Sequence, residues 1–375
     1  MASDKKSILL LGPRQTGKST LISGLKPDLS INFAHEATFL DFAKNPSELE
    51  NRLASLKPAE NKTIFIDEIQ RLPSVLNTIQ TILDQPKCPY RFLLTGSSAR
   101  KLRRGNANLL PGRIHTFYLG PIVVNELNYT MNTTDAMSTG TLPGILTEPD
   151  ISTRQKTLRS YAATYLREEV QAESLTRNLE GFSRFLSIVA GWAGHFLDLS
   201  KMAMAAQVAR QSAVRYFEIL EDCLIVYRAN SFAKSLTRRL VQHPKFYFFD
   251  VGVLNGLLGN FEVSSDRIGL LFEHLIFTQL VHSASAHDQE IRVSTFRTEH
   301  GAEIDFIVEI KKTTYAIELK ASRNISQGDL HGFKRFSDYF GKKHRQMILY
   351  LGDTRKKISH IDILPWQDGF RKLGL

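Results

Sequence analysis

Residues 7–21, SILLLGPRQTGKSTL, constrain this chain more than any other stretch. SILLLG is a short apolar run of the kind found in a buried parallel strand, and TLISGL beyond the loop continues as a helix. Between them Gly12, Gly17, Lys18 and Ser19 keep the spacing G-x-x-x-x-G-K-S. Phosphate binding needs that order. Glycines let backbone N–H groups curl around phosphate oxygens at a helix N-terminus, Lys18 adds a positive charge, and the Ser19 hydroxyl completes a Mg²⁺ shell. The run Gly12, Pro13, Arg14, Gln15, Thr16, Gly17, Lys18, Ser19 and Thr20 is the candidate nucleotide cradle, with ATP and Mg²⁺ as the implied cofactors. An ordinary glycine turn explains the glycines but not the flanking strand and helix.

A second apolar strand, TIFIDEIQRLP (63–73), ends in Asp67 and Glu68. Acids at a strand's carboxyl end face the crevice beside such a loop. Asp67 is expected to hold the Mg²⁺ shell and Glu68 to polarise an attacking water; the alternative is a plain acid pair opening a helix. A third buried strand, YRFLLTGSSARKL (90–102), ends in Thr95, Ser97 and Ser98, placed either to sense a terminal phosphate or to cap the next helix. Arg113 in LLPGRIHTFYLGP is the candidate phosphate-sensing or finger arginine, with a surface arginine as the bland reading.

These segments together resemble the AAA+-type P-loop ATPases of bacteria and archaea that carry a further C-terminal region. GPRQTGKST, IFIDEIQRLP, FLLTGSS and LPGRIHTFYLGPIVVNEL stand where that family has its phosphate loop, acid pair, third strand and arginine turn, and the likeness extends to KFYFFDVGVLNGLLG. The resemblance implies an α/β fold with ATP binding and hydrolysis. It also implies a homo-oligomer, because relatives often assemble into rings.

Composition narrows the partners. A net charge of +10 favours polyanions, nucleic acid or anionic membrane. No apolar run is long enough to cross a bilayer, and no membrane is expected. Nucleic acid is the expected partner, DNA favoured with RNA open; the alternative is a nucleotide-gated module that docks a protein. Cys88 and Cys223 are too few and too far apart for a disulfide framework, which suits a reducing cytoplasm. MASDKKS leads straight into a strand, without room for a signal peptide.

MNTTDAMSTGTLPGILTEPD (131–150), rich in Thr, Gly and Pro, reads as a connecting loop. The expected domains are 1–150, 151–240 and 241–375. In the middle one, residues 198–229 read as helix, tight turn, helix, strand, with Ala203, Ala206 and Val208 packed on Val214, Phe217 and Leu220. Arg210, Gln211, Ser212 and Arg215 stay on the outer face, where a groove-reading helix carries its contacts. The matching part of the family looks like a winged helix, a module used for protein contacts as well as DNA.

The last domain carries GAEIDFIVEIKKTTYAIELKAS (301–322). With KKTT (311–314) as its turn, Ile304, Phe306, Val308 and Ile310 join Tyr315, Ile317 and Leu319 on a dry side. The wet side collects Glu303, Asp305, Glu309, Glu318 and Lys320, with Asp305 opposite Lys320. Charge pairs on a half-buried hairpin explain this pattern. So does the acid, gap, Glu-x-Lys order of the restriction-endonuclease-like nucleases, which that pattern resembles. There two carboxylates hold Mg²⁺ and a lysine activates water. That resemblance makes Asp305, Glu318 and Lys320 catalytic candidates. Glu273, on the apolar helix pattern 267–284, becomes a further metal ligand. Lys342, Lys343 and Arg345 extend a candidate phosphate-tracking face, or a plain solvated one.

Overall fold

Strand β1 (Ser7–Leu11) is buried at every residue, as a strand covered on both faces must be. It lies between β4 (Tyr90–Gly96) and β5 (Ile114–Tyr118), while β3 (Lys62–Asp67) joins β4 to β2 (Leu29–Asn32). All these pairings are parallel. Leu9, Leu11, Ile64, Ile66 and Leu94 form one core with Leu76 and Ile79 of the helix Val75–Leu83. Ile8, Leu10, Phe65 and Leu93 form the other with Ile22 of the helix Lys18–Ser23. Alternation along one strand thus feeds two layers.

The computed structural model describes residues 6–56, 61–97, 110–165, 178–232, 243–299 and 301–375; Ser98 lies outside them. The chain divides into two units, Met1–Gly120 with Asp222–Leu224, and Pro121–Glu221 with Ile225–Leu375. The second holds an eight-stranded sheet in the order β12-β13-β11-β10-β9-β8-β6-β7. Its strands are β6 (Val226–Ser231), β7 (Lys245–Phe248), β8 (Ile291–Arg297), β9 (Glu303–Ile310) and β10 (Thr313–Lys320). Beyond these come β11 (Arg345–Tyr350), β12 (Lys356–Ile358) and β13 (Ile361–Pro365). Helix Ile268–Ala286 covers one face through Leu271, Leu275 and Ile276, packed with Phe306, Val308 and Ile317. Helix His331–Phe340 covers the other through Phe333 and Phe336, packed with Ile304, Ile307 and Ala316.

Three expectations change. Residues 131–150 are not a free connector. They contain the helices Thr133–Thr139 and Pro143–Leu146 and belong to the second unit. Their glycine and threonine serve close approach: buried Asp250 accepts from Thr141 N at 2.8 Å and Val253 N at 3.0 Å. At Gly140, φ is 72° and a Cβ would lie 2.1 Å from Asp250 Oδ1. Second, β6 and β7 join the C-terminal sheet, so the residues expected as middle and last domains share one unit.

Third, the hairpin is tighter and drier than its sequence suggests. Only Lys311 and Lys312 turn, because Thr313 already pairs with Ile310 and the ladder runs to Ile317 opposite Phe306. A shift of two keeps each strand's faces but removes the Asp305–Lys320 pairing. A bulge in β9, where the register against β8 slips between Ser294 and Phe296, puts Ile304 in the core opposite that of Phe306. Both faces are covered, so the hairpin has no open wet side.

The order helix, turn, helix, strand follows the sequence, but Val208 and Val214, expected to pack in the crossing, are only half-buried. Leu199–Ala205 and Arg210–Asp222 are joined through Gln207 at φ 54°, and Ala203, Ala206, Phe217 and Leu220 are buried. β6 follows directly and pairs antiparallel with β7.

Two histidines in the helix Ile268–Ala286 set an acid limit. His274 Nε2 and His282 Nε2 lie 2.8 Å from the carbonyls of Phe248 and Phe249, and burial lowers both side chains to about 4. They stay neutral in the fold while the unfolded chain takes up protons below its ordinary histidine pKa. Stability is therefore lost as pH falls from about 6.5 towards 4, by on the order of 3 kcal/mol per histidine at full titration. Asp250, raised to about 6 by burial, and Asp305 and Glu318, also raised, act with the opposite sign, so the histidine contribution is read as a difference between proteins. In urea unfolding at pH 7.5 and 5, stability should fall less, or rise more, towards pH 5 in His282→Gln than in wild type; an equal change in both proteins would refute the assignment.

Candidate functional site

The loop after β1 is shaped by backbone constraints. A Cβ on Gly12 would lie 2.1 Å from Leu119 O, so only glycine fits there. Gln15 and Gly17 take φ of 62° and 89°, turning their amides inward at the helix start. Thr16 Oγ1 braces the loop by donating to Pro13 O at 2.9 Å. Lys18 is 6% exposed and its Nζ reaches Gly12 O at 2.9 Å and Pro13 O at 2.7 Å. The ammonium therefore lies over the loop. Pro13 is buried, Arg14 half-buried, and Gln15 and Thr20 face solvent.

Asp67, at the end of β3, gathers three donors. Its Oδ1 accepts from Ser19 Oγ at 3.0 Å, from Glu68 N at 3.2 Å, and from Thr95 Oγ1. The sheet order explains the third. β4 is inserted between β1 and β3, so the end of β4 falls between the loop and the acids. Glu68 sits at φ 56°, ψ 43°, left-handed for a non-glycine residue, as at many functional positions. Its Oε2 accepts from Gln70 Nε2, which also donates to Ser97 Oγ at 3.0 Å. Gln70 is 5% exposed and was missed in the sequence. Its place two residues after the acid is the only signal that could have marked it.

Arg113 is a correction. It precedes β5, whose Ile114 pairs with Ser7 and whose Tyr118 pairs with Leu11. It thus stands at the amino end of the sheet, about 17 Å of strand from the loop. There its guanidinium forks onto Asp84, with Nη2 2.9 Å from Oδ2.

In the second unit, Glu273, Glu303, Asp305 and Glu318 stand among lysines. Lys245 Nζ lies 2.9 Å from Glu273 Oε1 and 3.2 Å from Glu303 Oε1, and Tyr247 OH donates to Glu273 at 2.6 Å. Lys320 Nζ lies 3.0 Å from Glu318 Oε1 and 3.3 Å from Asp329 Oδ1. Asp305 Oδ2 accepts from Leu319 N at 2.8 Å, where the β9–β10 ladder has opened. Burial, then Glu318 and Glu273, raise the Asp305 carboxyl well above its ordinary value. Burial also raises Glu318 against the pull of Lys320. Among the described residues, no three of His, Cys, Asp and Glu stand in position to hold a metal ion. These residues do not fit a Mg²⁺ site. Glu318 Oε1, Glu273 Oε1 and Asp305 Oδ2 are taken by an ammonium, an ammonium with a hydroxyl, and a backbone amide. Of the oxygens of these acids, Glu318 Oε2 alone is buried without a hydrogen-bond partner. A cavity of about 650 Å³ at the carboxyl ends of β10, β11 and β13 is lined by Tyr129, Arg323, Asp353 and Trp366, and by none of these acids.

Arg210, Gln211 and Arg215 are exposed on the second helix of the helical pair. Lys342, Lys343 and Arg345 are exposed before and at the start of β11. Tyr315 pairs with Arg345 and Lys320 with Tyr350. Arg345 and Glu318 are thus three residues apart along β10, about 10 Å. No helix among the described residues is long and apolar enough to cross a membrane.

Comparison with known proteins divides the chain into three matched stretches, the last two falling largely in the second unit. Residues 4–128 match the family described as an AAA domain, so the first unit carries a domain of the P-loop ATPase kind. Residues 132–264 and 268–368 match two domains of unknown function, DUF8612 and DUF4143. Uncharacterized proteins of Mycobacterium tuberculosis and Mycobacterium bovis are each 27% identical over 321 residues, covering 84% of this chain and 70% of theirs. A DNA polymerase III gamma subunit-related protein from Thermotoga maritima aligns at 12% identity over 58% of this chain and 95% of its own. Its TM-score is 0.24, too low to bear on the fold.

Arg113→Ala should leave nucleotide affinity unchanged, because the side chain serves Asp84. Titration with a fluorescent ATP analogue measures this, and a marked loss of affinity would return Arg113 to the site.

Proposed function

We propose that this protein binds ATP with Mg²⁺ in its first unit and hydrolyses it there, and that its second unit binds nucleic acid, DNA in the first instance. The observation that carries the first part is the 3.0 Å contact of Ser19 Oγ with Asp67 Oδ1, beside a loop that only glycine can form at Gly12. Hydroxyl and carboxylate oxygens are the ligands Mg²⁺ takes. Bound there, the ion would neutralise charge on the phosphate oxygens. Lys18 then turns from the carbonyls of Gly12 and Pro13 to the phosphates. Glu68, once released by Gln70, accepts the proton of the attacking water at its carboxylate. Ser97, at the other end of the Gln70 bridge, is placed to sense the terminal phosphate.

The second part rests on the exposed Arg210, Gln211 and Arg215 and on the net charge of +10. A positive helix face in a helix–turn–helix followed by a two-stranded ribbon suits phosphate and groove contacts. DNA cleavage is not part of this reading. The C-terminal sheet serves as a non-catalytic scaffold, and ATP gates what the second unit engages. Assembly into a homo-oligomer accompanies this reading.

Glu68→Gln should keep ATP bound and slow turnover by orders of magnitude, whereas Lys18→Ala should lose hydrolysis and weaken binding. Phosphate release and analogue binding measure both. Wild-type turnover in Glu68→Gln would remove that acid from the reaction.

DNA affinity should fall steeply with salt. The double change Arg210→Glu with Arg215→Glu should weaken it at least tenfold in fluorescence anisotropy. Loss only on reversing Lys342, Lys343 and Arg345 would move the contact to the C-terminal group, and no binding at low salt with or without ATP would end the nucleic-acid reading.

A further inference from the structure

We propose that Lys245 is the resident cation of the carboxylate cluster and holds the place a divalent metal would need. This rests on the reading of the second unit as a non-cleaving scaffold and gives it a physical cause. Lys245 is 6% exposed on β7. Tyr247, two residues along the same strand, faces the same way, and both heads converge on Glu273 Oε1, at 2.9 Å and 2.6 Å. The ammonium also lies 3.2 Å from Glu303 Oε1. One cation thus joins a helix carboxylate to a strand carboxylate.

The ammonium is not free to leave. The Phe196 ring lies 5.6 Å from its Nζ, and the backbones of Phe196 and Lys245 form a bridge. Arg297 stacks on the same ring and lies 3.6 Å from Glu303 Oε2, so the second oxygen of that carboxylate is also engaged. Mg²⁺ asks for oxygens at about 2.0–2.1 Å in octahedral array. An ammonium within hydrogen-bond distance of Glu273 Oε1 and Glu303 Oε1 keeps Mg²⁺ off those two oxygens by volume and by charge.

The test is a Mn²⁺ titration of the nucleotide-free full chain, following free Mn²⁺ by electron paramagnetic resonance. Wild type and Asp305→Asn should bind Mn²⁺ equally, because the cluster takes none. Lys245→Met should gain a site, and adding Glu273→Gln should abolish that gain. Lys245→Arg, which keeps the charge, should gain nothing. Two results overturn the proposal: wild-type Mn²⁺ binding that Asp305→Asn removes, or a folded Lys245→Met that gains no site. Lys245→Gln replaces Lys245→Met should the latter unfold. If neither folds, melting decides: a Mn²⁺-dependent rise in wild type that Asp305→Asn abolishes refutes the proposal, and no rise in either upholds it. ATP turnover and DNA affinity are read separately, so failure of those activities is distinguishable from failure here.

Discussion

Glu273 leaves water on a helix that is otherwise apolar almost all round, and Lys245 is what makes that tolerable. A buried carboxylate without a partner is a large penalty, and breaking such a pair from one side costs roughly 3–5 kcal/mol. Lys245 binds Glu273 and Glu303 together, so β7, the long helix and β9 share one charge. The first unit meets the same constraint differently. Asp67 is satisfied by two hydroxyls and one backbone amide. A hydroxyl can rotate and offer its oxygen to a cation, whereas an ammonium is itself the cation. The difference in donor chemistry separates an acid set open to Mg²⁺ from one that is closed to it.

Position in the first unit follows from strand order. With β4 between β1 and β3, Thr95 reaches Asp67, and Ser97 reaches Gln70 just beyond the same strand end. Glu68 is held in a left-handed conformation between these contacts. A carboxylate fixed by an amide that also bridges to a hydroxyl has two states available, bound to Gln70 or turned to solvent. Displacing Ser97 from Gln70 is then a local route to Glu68.

Much of the first unit was legible because each signal was local. SILLL had to be a strand, Gly12 had to be glycine, and Asp67 had to end a strand beside the loop. Arg113 was misjudged because its neighbour Asp84 is remote in sequence and comes near only through strand register. The hairpin was legible in its faces but not its register, since period-two alternation is unchanged by a slip of two residues. The β9 bulge leaves no mark in hydrophobicity, yet it decides which core Ile304 enters. Lys245 was invisible for a related reason. In KFYFF it reads as the polar start of an apolar strand, and only the fold brings it to Glu273 and Glu303. The Thr- and Gly-rich run 131–150 misled because residues that favour loops also permit close packing, as Gly140 does against Asp250.

The layout of the second unit argues further against a cleaving site. A phosphodiester must approach the acids through positive charge, because carboxylates without a metal repel it. Of the exposed Lys342, Lys343 and Arg345, the last stands about 10 Å from Glu318 along β10. The cations nearest the acids are already spent on ion pairs. Burial, with Glu318 and Glu273 beside it, raises the carboxyl of Asp305, and burial raises that of Glu318. A strand of nucleic acid held by the basic residues would therefore run past this cluster without meeting a site able to activate water. The arginines of the helical pair are exposed, Arg210 with its Nε 3.0 Å from Ser200 Oγ, and the proposed nucleic-acid contact is given to them for that exposure.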